Sequence, residues 1–158
     1  MKKLFIFFIA LTSCANLWAG QLSADNVRLA VPDDWHQVKD AQPPVVLMAM
    51  APAENNFAKN VVVTKETLPK GFPADGASYK KASKQYILNA FVAAKVIEDK
   101  TNSFVIENAY GNGIKLYQMF VFAVKNGIGY TLTFSSLPDA FNTSRKQFNQ
   151  IATSFKVD

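Results

Sequence analysis

The chain has 158 residues, 49% hydrophobic and 18% charged. That is enough apolar mass for one domain with a real core, and too apolar a balance for a disordered chain. One His and one Cys exclude a Cys/His zinc site, which needs about four such ligands, and an intrachain disulfide, which needs two cysteines. The net charge of +5 is carried mainly by lysine, with Arg28 and Arg145 the two arginines, unlike the concentrated arginine-bearing face of a nucleic-acid binder.

Residues 1–19, MKKLFIFFIALTSCANLWA, have the plan of an export signal: Lys2 and Lys3, then an apolar run from Leu4 to Leu11. That run is too short for a permanent membrane span. Two processing routes stay open. Leu11-Thr12-Ser13-Cys14 resembles a bacterial lipobox, which would make Cys14 the lipidated first residue. A signal peptidase cutting after Ala19 would instead leave Gly20 first. Loss of Lys2 and Lys3 lowers the net charge to +3 by either route. The expected product is one domain over 20–158, exported to the periplasm or tethered to a membrane through Cys14.

Gln21 to Asn26 reads as a polar lead-in. Val27, Leu29 and Val31 alternate with Arg28 and Ala30, predicting a strand with one buried face. Pro32-Asp33-Asp34 is turn chemistry, and Trp35 to Val38 reads as a second short strand, stopped by Pro43-Pro44. Val45 to Met50 predicts a third strand, residues 51–59 a loop holding Phe57, and Val61 to Thr64 a fourth strand running on towards Leu68. Breakers follow at 69–73. Asp75 or Ser78 can cap a helix over about 77–96, with Tyr79, Ala82, Tyr86, Ala90, Ala93 and Ile97 on one face.

A fifth strand spans Ser103 to Tyr110, and Gly111-Asn112-Gly113 turns the chain. Lys115 to Phe134 then reads as two strands joined at Asn126-Gly127, a strong hairpin signal because both residues tolerate positive φ. The first of these strands is apolar on both faces, as expected in the middle of a covered sheet. A last helix is predicted from Asp139 or Ala140 to about Lys156. Phe141, Phe148, Ile151, Ala152 and Phe155 form its apolar stripe, and Arg145, Lys146, Asn149 and Gln150 much of its wet face. Short turns between strands make the sheet largely antiparallel. The expected class is therefore α+β: a largely antiparallel sheet sandwiched by a long central helix and a C-terminal helix.

Chemistry-bearing residues are few. His36 is the one imidazole. Asp33 and Asp34 are near it in sequence, but no nucleophile elbow accompanies it, and a surface histidine beside a packed Trp35 is the simpler reading. Asp33, Asp34, Glu54 and Glu66 have no EF-hand spacing and read as turn or surface carboxylates. Gly111-Asn112-Gly113 joins strands, so it is not a dinucleotide fingerprint. Lys80, Lys81 and Lys84 read as a solvated helix face, and the sequon at Asn142-Thr143-Ser144 is incidental beside a bacterial type of signal. No catalytic, cofactor-binding or metal residue is predicted. Cys14 is the candidate lipidation residue.

The strand ending Val31-Pro32-Asp33-Asp34-Trp35, the mid-chain helix before three strands, and the close Tyr130-Thr131-Leu132-Thr133-Phe134-Ser135-Ser136 followed by Phe148 to Phe155 resemble the PsbP-like superfamily, especially the bacterial DcrB-like envelope proteins. The resemblance covers most of 26–157. It implies an antiparallel sheet between helices and an envelope protein without established catalysis. Its relatives include lipoproteins, a photosystem extrinsic subunit and a nuclear-import factor that binds a small GTPase. The lipoprotein relatives favour an anchor at Cys14. The resulting expectation is a non-enzymatic binding or accessory module for an unidentified envelope protein or surface component, with no nucleic acid and no cofactor. A small periplasmic hydrolase or ligand-binding enzyme using His36 is the alternative.

Overall fold

A computed structural model describes residues 20–91, 93–109 and 113–158. The expected signal, with Cys14 and Ala19, and the Gly111-Asn112 turn lie outside the described residues. In chain order the elements are β1 (Gly20–Ala24), β2 (Val27–Val31), β3 (His36–Gln37), β4 (Val45–Glu54), β5 (Phe57–Thr67), α1 (Gly76–Ala90), β6 (Lys95–Lys100), β7 (Ser103–Ala109), β8 (Lys115–Lys125), β9 (Ile128–Ser136), α2 (Pro138–Ser154) and β10 (Lys156–Val157). The main sheet has seven strands in the order β3-β4-β5-β9-β8-β7-β6, and a small sheet has the order β1-β2-β10. The pairings are antiparallel.

The predicted hairpin lies at the centre of the main sheet. Lys125 pairs with Ile128, and Asn126 and Gly127 between them have φ of 53° and 74°, the left-handed pair that a two-residue type I′ turn demands. Period-2 alternation sends the side chains of β8 to opposite faces. Met119 joins the core that also holds Leu132, Phe134, Phe148 of α2, and Val27, Leu29 and Val31 of β2. Phe120 and Phe122 join a second cluster with Phe104, Ile106 and Tyr79 of α1. α2 and the small sheet thus share one core, and α1 rests on the other.

α1 sits very close to the sheet. A Cβ on Gly129 would lie 2.6 Å from the Tyr79 ring, and one on Gly76 would clash with the Phe122 carbonyl oxygen. Asp75 caps the helix, its carboxylate accepting from the Ser78 N–H at 2.8 Å. α2 has Pro138 in its first turn and no side-chain cap.

Five local expectations are corrected. The helix predicted over about 77–96 stops at Ala90, where Phe91 turns extended, and Lys95–Lys100 is a strand paired with β7. Tertiary pairing outweighs the continued helical spacing of Ala93 and Ile97. The buried stripe is also rotated: Ile87, Leu88 and Phe91 pack with Tyr79, while Tyr86 is 79% exposed and Ile97 40%. Residues 51–59 are not a loop, because β4 and β5 run through them to a tight turn at Asn55 and Asn56, with φ of 51° and 62°. The lead-in forms β1, and the last helix ends at Ser154, so that Lys156–Val157 joins β2.

Candidate binding surface

His36 lies on the two-residue strand β3, opposite Met50 and exposed, beside buried Trp35. Among the described residues its ring has no hydrogen-bond or ion-pair partner, so the structure brings no nucleophile and no orienting carboxylate to it. Asp33 and Asp34 sit in the turn before it, and Glu54 and Glu66 lie at the end of β4 and on β5. Among the described residues no group of three or more His, Cys, Asp or Glu could hold a metal ion.

The ionisation of Tyr79 is strongly perturbed. Burial, then the hydrogen bond to Glu66, pushes its phenol up to about 12. The hydroxyl donates to Glu66 Oε1 at 2.6 Å and accepts from Thr131 Oγ1 at 3.3 Å. A phenol held neutral, donating to a carboxylate, pegs α1 over Gly129. A second polar group crosses the sheet near its other end: Asn108 Nδ2 donates to Gln118 Oε1 at 2.7 Å, and Gln118 Nε2 to Ser135 Oγ at 3.2 Å. All three are buried, so this network is an internal brace.

The edge strand β6 ties down both helices through adjacent acids. Glu98 accepts from Arg145 of α2 and pairs with Lys100 at 2.9 Å, while Asp99 accepts from Lys80 and Lys84 of α1. The hydrogen bonds from Arg145, and from Lys80 and Lys84, hold both carboxyls below the ordinary range. Lys80 and Lys84 are therefore bound to the edge strand rather than simply solvated, and Lys81 is exposed.

A solvent-facing concavity with free hydrogen-bonding capacity lies along α2. A groove of about 780 Å³ is lined by Asn142, Arg145, Lys146, Asn149, Gln150 and Thr153 of α2, and closed by Ser154 against Ala30 of β2. Spacings of three, four and seven residues stack these side chains on one helix face. Ser154 Oγ fixes the wall by accepting from the Ala30 N–H at 2.9 Å and donating to the Ile151 carbonyl at 2.7 Å. Thr153 returns its hydroxyl to the Asn149 carbonyl at 2.8 Å. Asn142, Lys146, Asn149 and Gln150 have no side-chain partner among the described residues, so three amides and an ammonium face outward with their hydrogen-bonding capacity unused. Four of these lining residues, Arg145, Lys146, Asn149 and Gln150, are the wet face legible in the sequence. The wall from β2 was not, because it depends on the return of the chain end to the small sheet.

This α+β arrangement, two helices with a large antiparallel sheet, is consistent with a PsbP-like fold. Among solved structures, cyanobacterial PsbP (CyanoP) from Synechocystis sp. PCC 6803 is similar, with a TM-score of 0.56 and 17% identity over 86% of this chain and 91% of that one. LpqN, involved in cell envelope biogenesis of Mycobacterium tuberculosis, gives 0.55 and 17% over 83% and 82%. The Saccharomyces cerevisiae Ran-binding protein Mog1p gives 0.55 with 6% identity over 84% and 90%. No protein-family model and no curated protein sequence matches the chain. At these identities the likeness is one of fold.

Proposed function

We propose that the protein is a non-enzymatic binding or accessory module of the bacterial cell envelope, one domain over 20–158, of the DcrB-like kind and exported by the signal at 1–19. It works in the periplasm or from a lipid anchor at Cys14, on an unidentified envelope protein or surface component. The observation that carries this reading is the α2 groove, where Asn142, Lys146, Asn149 and Gln150 present unused hydrogen-bonding capacity on a rigidly held helix. Similarity of fold to an envelope-biogenesis protein and to a protein that binds another macromolecule supports a role in binding over one in turnover. α1 and α2, packed on separate cores either side of β8 and strapped by β6, give a platform stiff enough to present such a surface.

The test is saturable binding of the purified protein to isolated envelope sheets. Lys146→Glu is expected to weaken it several-fold, about one charged contact's worth, while His36→Ala leaves it unchanged. A turnover of envelope substrates that disappears in the His36→Ala variant would overturn the reading in favour of the hydrolase.

A further inference from the structure

We infer that the α2 groove and the outer face of the small sheet together form a docking surface for the anionic headgroups of a phospholipid membrane. This rests on the reading of the groove as the binding surface. Val27, Leu29 and Val31 of β2 point into the core, so Arg28 and Ala30 point outward. Gln21 and Ser23 of β1 pair with Ala30 and Arg28, and Lys156 pairs with Arg28 from the other side. Ala30 of this outer face lines the groove with Asn142, Lys146, Asn149 and Gln150, so the paired residues of the small sheet adjoin the groove through it.

Charge and tether both point the same way. The surface carries Arg28, Arg145, Lys146 and Lys156. Asp158 pairs with Arg28 and Glu98 with Arg145. Lys146 and Lys156 have no ion-pair partner among the described residues. Two unopposed ammonium groups among amides and hydroxyls match phosphate and glycerol oxygens, which take cations and hydrogen-bond donors. Gly20 opens β1 opposite Val31, at the groove end of the small sheet. Cys14 stands six residues earlier in the sequence, a reach of about 20 Å at full extension. An acyl chain on Cys14 would therefore hold this surface, rather than the α1 side, against the bilayer.

The test uses the exported protein carrying Cys14→Ala, so that no acyl chain contributes, with vesicles containing phosphatidylglycerol and vesicles of phosphatidylcholine alone. Sedimentation should show binding to the anionic vesicles only, lost at high salt. Each basic residue near such a surface contributes about fivefold in partitioning, so Lys146→Gln with Lys156→Gln should lower it about 25-fold. Lys70→Gln with Lys81→Gln, in the approach to α1 and on it, should change it less than about twofold. Equal losses from the two pairs, absence of binding to anionic vesicles, or retention on soluble dextran sulfate without vesicle binding would each overturn the inference. If vesicle binding is absent while Lys146-dependent binding to envelope sheets persists, the lipid assignment falls and the binding module stands.

Discussion

Replacing Phe148 by Ala tests the docking of α2. The ring is 0% exposed, 5.1 Å from the Phe134 ring and 6.4 Å from that of Phe141, centroid to centroid. Its removal costs the transfer free energy of a buried aromatic, about 2–3 kcal/mol. It also leaves a cavity that neighbours on a strand and a helix cannot close, worth about another 1–2 kcal/mol. The expected loss is about 3–5 kcal/mol, read as a lower denaturation midpoint with an unchanged slope. Phe155 makes an internal control. It caps α2 beside Tyr130 at 5.5 Å but remains partly exposed, so Phe155→Ala should cost about 1–3 kcal/mol. A loss below about 1 kcal/mol for Phe148→Ala, or a larger loss at Phe155, would refute the packing described for this helix.

Three further outcomes follow from the geometry. The Tyr79 phenol titrates near 12 in the fold against 10.0 in the free side chain, so folding favours its protonated form; that contribution is complete below pH 10 and fades by pH 12. It amounts to about 2–3 kcal/mol, and alkaline denaturation of Tyr79→Phe should lack this component. Gly129→Ala should cost about 1–3 kcal/mol by overpacking; in a double-mutant cycle with Tyr79→Ala most of that penalty should vanish. The depressed carboxyl of Glu98 contributes stability above the ordinary carboxylate range that is lost as pH falls through its lowered value. Glu98→Gln should therefore flatten the acid limb of the stability profile and cost about 0.5–1 kcal/mol, less in high salt.

Local chemistry made parts of this fold legible in advance. Asn126-Gly127 specifies a turn with two positive φ values, and β8, apolar on both faces, belongs in the sheet centre where it is found. The apolar stripe of α2 was readable because Phe141, Phe148 and Ile151 share one face. β6 was hidden because Ile97 continues the helical spacing of α1 and Val96-Ile97 stands among four charged residues, so the strand is defined by pairing with β7 and by ion pairs to both helices. The turn at Asn55-Asn56 was missed because asparagine, unlike Asn-Gly, is a weaker sign of the left-handed region. Half of the candidate surface was likewise out of reach: that Arg28, Ala30 and Lys156 adjoin the wet face of α2 is a consequence of β10 returning to β2, a contact between residues about 130 positions apart.

Photo-crosslinking in intact cells that export the protein addresses the central claim most directly. A photoreactive residue at Gln150, on the groove, should give adducts with envelope material, and Lys146→Glu should suppress them. The same probe at Tyr86, exposed on α1, should give few. Adducts concentrated at Tyr86, with Gln150 silent and insensitive to Lys146, would contradict the assignment of the α2 face as the binding surface.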